Sequence, residues 1–128
     1  MAVAAAFAST PNNLPVKVSA TADTSYVAPA TTVVCFTAGG SGSQVLEIDI
    51  NGNGTTVAGV INIFIKRGGV FFLFDSFQIA AVVPSTTIAN LRITKTYTNL
   101  VLKSGDTLEA TSTVASQLAS VCTFGGDF

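Results

Sequence analysis

From Val16 onward, the chain consists of short runs rich in Val, Ile, Thr and Phe, in which apolar and polar residues alternate. A period of two is typical of a β-strand that buries one face. Glycine, asparagine, proline and serine break these runs at intervals of roughly 8–12 residues, which is the spacing of strands in a β-sandwich. The pattern therefore predicts an all-β fold, an antiparallel β-sandwich of about eight strands, with jelly-roll and Ig-like topologies both open.

The segment QVLEIDI alternates regularly. Leu46, Ile48 and Ile50 share one face, which we expect to be buried. Glu47 and Asp49 share the other face, which we expect to be solvated. These two carboxylates therefore need no catalytic explanation.

A tight hairpin is predicted between VAGVINIFIK and VFFLFDSFQI, because Gly68-Gly69 can supply the positive φ of a two-residue turn. Aromatic residues fall on both faces of the second strand: Phe71, Leu73, Phe77 and Ile79 on one, Phe72 and Phe74 on the other. Such a strand is either covered on both sides or directed at a partner. We predict that Phe72 and Phe74 point outward and contact another subunit; a plain sandwich core is the alternative.

The segment NLVLKSGDTLEATST has the pattern of a second hairpin-like unit. A turn at Ser104-Gly105-Asp106 would connect a short strand to one that directs Leu108 and Ala110 inward. The glycine-rich loop GGSGS at 39–43 has no following Lys and no helix, so we interpret it as a flexible connection between strands and not as a phosphate site.

The stretch DINGNGTT begins like a calcium loop, with one carboxylate and two carboxamides on alternate residues before a glycine. An EF-hand loop needs a bidentate Glu at its twelfth position, and counting from Asp49 that residue is Val60. Two successive Asn-Gly pairs are instead a strong turn signal. We predict a turn that joins two strands, and no metal site.

The first residues differ from the rest, because they are rich in Ala and then contain two prolines that oppose a continuous helix. We predict an N-terminal arm, residues 1–15, and a single β-sandwich domain, residues 16–128. The arm either docks on a neighbouring subunit, or it is a frayed terminus or a strand on its own sheet. On the docking interpretation, Val3, Phe7 and Leu14 are predicted intersubunit contacts.

The amino-acid composition argues against nucleic-acid binding and against a membrane span. Hydrophobic residues make up 48% of the chain and charged residues 10%, with a net charge of −1. The few basic residues are spread thinly, which argues against nucleic-acid binding. No apolar run approaches the ~20 residues of a membrane span. The apolar surface must therefore be buried in a core, in subunit contacts, or in both.

Histidine is absent, which excludes a Ser-His-Asp or Cys-His catalytic arrangement. None of the seven acidic residues stands in an obvious acid–base pair. We therefore expect a protein that is not an enzyme, with no cofactor and no metal. Cys35 and Cys122 lie in β-like apolar contexts, where a buried free thiol and a disulfide are both open. The N-terminus lacks the features of a secretory signal, so we expect synthesis in a reducing cytoplasm.

Three segments together resemble small structural proteins of tailed bacteriophages. TTVAGVINIFIKRGGVFFLFDSFQI is similar to a hairpin of these proteins, NLVLKSGDTLEATSTVAS is similar to their LxLPSGxxLRASTxxA segment, and FGGDF resembles their usual ending. The resemblance covers residues 55–128. Two residues depart from the pattern: Lys103 stands where the pattern has Pro, and Glu109 where it has Arg. The position of Glu109 is expected to face outward, so this change would alter contacts with a partner and leave the fold intact.

The resemblance implies a virion structural protein, in particular a capsid decoration (cement) protein on the capsid surface. Its expected partners are the major capsid protein and other copies of itself, as a homotrimer. A tail- or fibre-associated part, or a carbohydrate-binding module, is the alternative. The lack of Trp and the presence of only two Tyr speak against sugar binding, which usually needs exposed aromatic rings.

Overall fold

The computed structural model describes residues 10–128, which form eight β-strands and no helix. The strands are β1 (Thr10–Lys17), β2 (Val33–Thr37), β3 (Ser43–Gly52), β4 (Gly59–Arg67), β5 (Val70–Ile79), β6 (Arg92–Leu102), β7 (Thr107–Ser112) and β8 (Ala119–Asp127). All paired strands are antiparallel, and two sheets pack as a sandwich, which confirms the predicted fold class. This part of the chain contains no helix that could cross a membrane.

The order of strands is β1-β8-β3-β6 in one sheet and β2-β7-β4-β5 in the other. β1 pairs with β8, β2 with β7, β3 with β6 and β4 with β5. The chain is therefore one long antiparallel ribbon of four strand pairs, folded over into two sheets, which is the jelly-roll arrangement. Of the two topologies that the sequence leaves open, the structure has the jelly roll.

One end of the sandwich, which we call the hairpin end, is where β4 turns into β5. The loop of residues 38–42 and the turn of residues 103–106 lie at this same end, because β3 begins opposite the end of β6 and β7 begins opposite the end of β2. Thr10, the first described residue, also lies there, paired with Asp127. Three connecting segments and both ends of the described chain thus meet at the hairpin end.

Alternate side chains of both sheets fill the space between them, as the period of two requires. The fully buried core includes Phe36, Val45, Ile48, Ile50, Ile61, Ile63, Leu108, Ala110 and Val121. Leu91 and Ile93 are partly buried and pack against this core. Burial of each large apolar side chain stabilises the fold by about 1.5–3 kcal/mol.

The predicted inward face of QVLEIDI is wrong at one residue. Ile48 and Ile50 are buried, but Leu46 is 50% exposed. The register of β3 shifts between Val45 and Glu47 against both neighbouring strands, so Leu46 is the extra residue of a bulge. The bulge reverses the alternation, and Val45 is buried instead of Leu46.

The second hairpin-like unit forms a turn but not a hairpin. The backbone N–H of Asp106 donates to the carbonyl of Lys103 at 3.0 Å, and Gly105 has a φ of 88°. Leu108 and Ala110 are fully buried, as predicted. However, β6 and β7 belong to different sheets, because in this jelly roll consecutive strands, apart from β4 and β5, lie in opposite sheets.

The structure describes only residues 10–15 of the predicted arm of residues 1–15. Residues 10–15 form most of β1, which pairs with β8 along its whole length. These residues therefore form a strand on the protein's own sheet, which is one of the interpretations that the sequence leaves open. Leu14 belongs to this strand. Val3 and Phe7 lie outside the described residues.

Both cysteines are free thiols. Cys35 is buried in β2, and its Sγ donates to the carbonyl of Leu108 at 3.3 Å. Burial raises the pKa of the Cys35 thiol to about 12. Cys122 is half-buried in β8, opposite Asp49. Of the two interpretations that the sequence leaves open, the structure has the free thiols, with Cys35 buried and Cys122 half-buried.

Candidate interaction surface

The predicted contact residues do not form one cluster. Leu14 lies in β1, at one edge of its sheet, and is 38% exposed. Phe72 and Phe74 lie in β5, the edge strand of the other sheet on the far side of the sandwich. The β4–β5 hairpin is therefore the part of the described chain that carries the aromatic residues among the predicted contacts.

The turn of this hairpin is the one that the sequence predicts. Gly68 and Gly69 have φ values of 59° and 78°, and Arg67 pairs with Val70 on either side of them. Positive φ at both central residues of a two-residue loop matches the right-handed twist of the strands. A side chain at either glycine would be strained, so the glycines determine where the hairpin ends.

The alternation of β5 is interrupted by a bulge. Ile63 pairs with Asp75 and Phe64 with Leu73, which leaves Phe74 as an extra residue. Phe77 and Ile79 therefore point into the core, whereas Phe71 and Leu73 lie on the outward face. The prediction that Phe71 and Leu73 share a face with Phe77 and Ile79 is wrong for this reason.

Phe72 is exposed, as predicted, but it lies on the core-facing side of the hairpin, paired with Ile65. It is 55% exposed because β5 is an edge strand, with no neighbour on its far side. Ile65, Arg67 and Phe72 line a cavity of about 260 Å³. We call this cavity the hairpin pocket. Val70, which is 53% exposed, lies beside it on the same face.

A salt bridge holds one wall of the hairpin pocket in place. Arg67 donates from Nε to Oδ1 of Asp106 at 2.8 Å, and from Nη2 to Oδ2 at 2.5 Å. The Asp106 side chain is 2% exposed and also accepts a hydrogen bond from the backbone N–H of Lys103. The Arg67 guanidinium holds the pKa of Asp106 below its usual range. The charge of Arg67 is thus neutralised, and its stem faces the pocket.

The outward face of the hairpin has a small apolar cluster of its own. Phe64 is fully buried although it lies outside the core between the sheets. The Phe71 ring packs edge-on against it, with centroids 6.0 Å apart, and the Lys66 ammonium lies 5.0 Å from the Phe71 ring. Packing on both faces makes the hairpin a rigid support for Phe72, which lowers the entropic cost of docking.

Contrary to the prediction, Phe74 does not project toward solvent. It packs against the core and against Tyr97 of β6, with ring centroids 5.5 Å apart. The hydroxyl of Tyr97 donates to Oδ2 of Asp75 at 2.7 Å, and Lys95 donates to Oδ1 at 2.9 Å. Burial alone would raise the pKa of Asp75, but the hydrogen bonds from Lys95 and Tyr97 outweigh it and lower the pKa.

All four edge strands are poor templates for strand addition. β1 contains Pro11 and Pro15, which lack the N–H that pairing needs. β2 has five residues and a bulge, and β5 has the bulge at Phe74. β6 carries an irregular stretch between Thr96 and Leu100 and directs Lys95 inward. These devices block edge-to-edge pairing, so association is left to side-chain surfaces such as the hairpin.

The face with Glu47 and Asp49 is not simply solvated, contrary to our expectation. Asp49 is 2% exposed because β3 lies between β8 and β6, whose side chains cover it. Its Oδ2 accepts a hydrogen bond from Arg92 at 2.9 Å. The adjacent carboxylate of Asp49 raises the pKa of Glu47. Within residues 10–128, no group of three or more His, Cys, Asp or Glu side chains is placed to hold a metal ion.

The turn in DINGNGTT is present, but it connects the two sheets and is not a hairpin. Residues 53–58 lead from β3 in one sheet to β4 in the other. The Asn53 backbone N–H donates to the carbonyl of Leu118 at 2.8 Å, and its Nδ2 donates to Oγ of Ser120 at 2.7 Å. The asparagine therefore ties the turn to β8, and its role is structural.

The GGSGS loop and the GGDF segment form one hydrogen-bonded unit at the hairpin end. The Asp127 carboxylate accepts hydrogen bonds from Oγ of Ser43 at 2.5 Å and from Nδ2 of Asn12 at 2.8 Å. These bonds lower the pKa of Asp127. A Cβ on Gly39 would lie 2.6 Å from Cγ of Asp127, so glycine lets the loop approach this closely. The loop that the sequence presented as a mere connection thus anchors the last strand.

No protein-family model, no curated protein sequence and no solved structure matches this chain. Its surface offers an apolar, rigid hairpin with a pocket, and edges that resist strand pairing. Chemically, this arrangement suits the docking of an apolar group from another protein surface.

Proposed function

We propose that the protein is a structural component of a tailed-bacteriophage virion. Specifically, it would be a non-enzymatic capsid decoration (cement) protein that binds the capsid surface as a homotrimer and bridges subunits of the major capsid protein. The observation that carries the proposal is that the hairpin with the phage-like sequence also presents exposed apolar side chains on a rigid support. Val70, Phe72 and Leu73 are 53%, 55% and 43% exposed.

Cementing requires contacts that exist only in the assembled particle. A protein that binds the joint between capsid subunits, and not the free subunits, stabilises the lattice by mass action. Apolar anchors on a pre-formed hairpin serve this purpose, because little conformational entropy is lost when they dock. The low share of charged residues, 10%, fits a surface that is largely covered by neighbours.

The acidic residues also fit a structural role. Asp49, Asp75, Asp106 and Glu109 each pair with a Lys or Arg. Asp23 and Asp127 accept hydrogen bonds that hold loops in place. Carboxylates used in this way stabilise the fold. Glu47 lies beside Asp49, whose Oδ2 accepts a hydrogen bond from Arg92, so this pair of carboxylates also takes part in a structural contact.

The alternative, a tail- or fibre-associated part or a carbohydrate-binding module, shares the fold, because jelly rolls occur in capsid and lectin domains alike. Sugar binding usually uses an exposed aromatic ring. Tyr97 is half-buried against Phe74 with its hydroxyl bonded to Asp75, so of the two tyrosines only Tyr26, 61% exposed, presents an open ring. No other feature of the described residues favours a sugar.

The test uses particles of the phage whose genome carries this gene, prepared with and without it. Purified protein is added back to the deficient heads, and binding and heat-induced DNA release are measured. Phe72→Ser is compared with Val101→Ser, a matched control of 57% exposure on the outward face of the other sheet.

We expect the native protein and Val101→Ser to bind the heads and to raise the temperature of DNA release. Phe72→Ser should bind roughly 10- to 100-fold more weakly, since a buried Phe contributes about 1.5–3 kcal/mol. Failure of the native protein to bind heads, or its location in the tail by electron cryo-microscopy, would refute the decoration role.

A further inference from the structure

The hairpin pocket is an apolar site without an occupant from the described residues. Its walls are Ile65, Phe72 and the stem of Arg67, and its volume is about 260 Å³. Asp106 neutralises the Arg67 charge, so the pocket has no free charge to attract an ion. A cavity of about 150 Å³ already holds a benzene ring. The pocket is therefore large enough for an aromatic side chain.

The chain outside the described residues begins at the same end of the sandwich. Thr10 lies at the hairpin end, paired with Asp127. The nine residues before it, MAVAAAFAS, carry no charged side chain, and Phe7 is their one aromatic residue. Fully extended, nine residues span at most about 30 Å. An apolar segment with one ring thus starts near an apolar pocket that fits one ring.

Chain geometry favours the pocket of another copy over the segment's own. Thr10 is in β1 and Phe72 in β5, which lie at opposite edges of opposite sheets. Three strand spacings and the gap between sheets separate them by about 17 Å. Phe7 is three residues before Thr10, so its Cα reaches at most about 11 Å, and its ring would approach the pocket of the same copy only along a fully extended, direct path. The direct path also crosses the loop of residues 38–42 and the turn of residues 103–106.

We propose that Phe7 of one copy inserts into the pocket formed by Ile65, Arg67 and Phe72 of a neighbouring copy. This inference rests on the self-association in the proposed function and names its contact. The donor segment and the acceptor pocket lie on different parts of the surface. Around a three-fold axis each copy would therefore give its Phe7 to the next copy, and the ring would close at three, as the proposed homotrimer requires.

Sedimentation of the purified full-length chain provides the first test. Phe7→Ala and Phe72→Ser should each weaken self-association by roughly 10- to 100-fold, the effect of losing one buried aromatic ring. The double variant should be little weaker than either single one, because both remove the same contact. Val101→Ser, which matches Phe72 in exposure, should associate like the native protein.

Disulfide trapping provides the second test, in a Cys122→Ser background that leaves only the buried Cys35. Phe7→Cys is combined with Val70→Cys, which lies at the rim of the pocket. Mild oxidation should produce covalent dimers and trimers on denaturing gels. A cross-link confined to single chains would overturn the choice of a second copy.

Two other results would also overturn the inference. One is self-association that is insensitive to Phe7→Ala, and the other is a monomer that forms no cross-link. In either case the binding of the protein to phage heads decides the proposed function separately. A monomer that still binds heads would refute the Phe7 contact and leave the decoration role standing.

Discussion

Phe64 provides a sharp test of the buried cluster on the outward face of the hairpin. The alternation of β4 places Phe64 opposite to Ile61, Ile63 and Ile65, on the side of the sheet that faces away from the core. Sequence alone would make this position solvent-exposed and its truncation harmless. In the structure Phe64 is fully buried. We therefore expect Phe64→Ala to destabilise the fold as a core substitution does.

The loss of stability expected for Phe64→Ala depends on how deeply the ring is buried and on how far its neighbours can close the space it leaves. Truncation of a buried Phe to Ala costs about 3–5 kcal/mol. The Phe71 ring packs edge-on against Phe64 and can settle into the space, which favours the lower limit of about 3 kcal/mol. With an unfolding entropy of about 2.1 cal/mol/K per residue, a chain of 128 residues should lose roughly 11 °C in Tm.

The matched control is Leu73→Ala, since Leu73 pairs with Phe64 on the same face but is 43% exposed. We expect it to cost about 1 kcal/mol, because only part of its side chain leaves water on folding. Urea unfolding followed by far-UV circular dichroism suits a chain without Trp. A loss below about 1 kcal/mol for Phe64→Ala, or equal losses for both variants, would refute the idea of a second buried cluster.

Three further predictions concern the last strand and the thiols. Gly125→Ala should abolish soluble expression or lower Tm sharply, because its Cβ would meet the carbonyl of Gln44; a Tm near that of the native protein would contradict this packing. Asp127, whose pKa is lowered from 3.8, should contribute stability that is present above that value and lost as the pH falls through the lowered pKa. The Tm difference between the native protein and Asp127→Asn should therefore shrink in acid, and a difference independent of pH would count against the hydrogen-bonded carboxylate. A thiol reagent should label Cys122 in the native protein and Cys35 only in urea, and rapid native labelling of both would show that the core opens easily.

Local pattern was sufficient for the class of fold and for most of the turns. The period of two predicts the strands, and Gly68-Gly69 predicts the hairpin because positive φ is a property of the two residues themselves. The same reasoning was wrong at Leu46 and at Phe74, where one extra residue reverses the alternation. A bulge is defined against a neighbouring strand, so a single strand's sequence does not reveal it.

Of the two phenylalanines predicted to point outward, the structure exposes one. Phe72 is exposed as expected, whereas Phe74 packs against Tyr97. The salt bridge between Arg67 and Asp106 was not anticipated, because the two residues meet only when the β6–β7 turn is brought beside the hairpin. The sequence does not indicate the hairpin pocket either, because its walls come together only in the folded hairpin.

The sequence by itself determined the elements of this protein: its strands, its glycine turns, the lack of histidine, and an apolar excess that must be covered. These follow from residues that are neighbours in the chain. Only the tertiary structure decided the jelly roll over the Ig-like topology, the burial of Phe64 and Asp49, and the meeting of Thr10, the Asp127 carboxylate and the hairpin at one end. Each depends on which strands pair at long range, and many pairings bury the same alternating faces equally well.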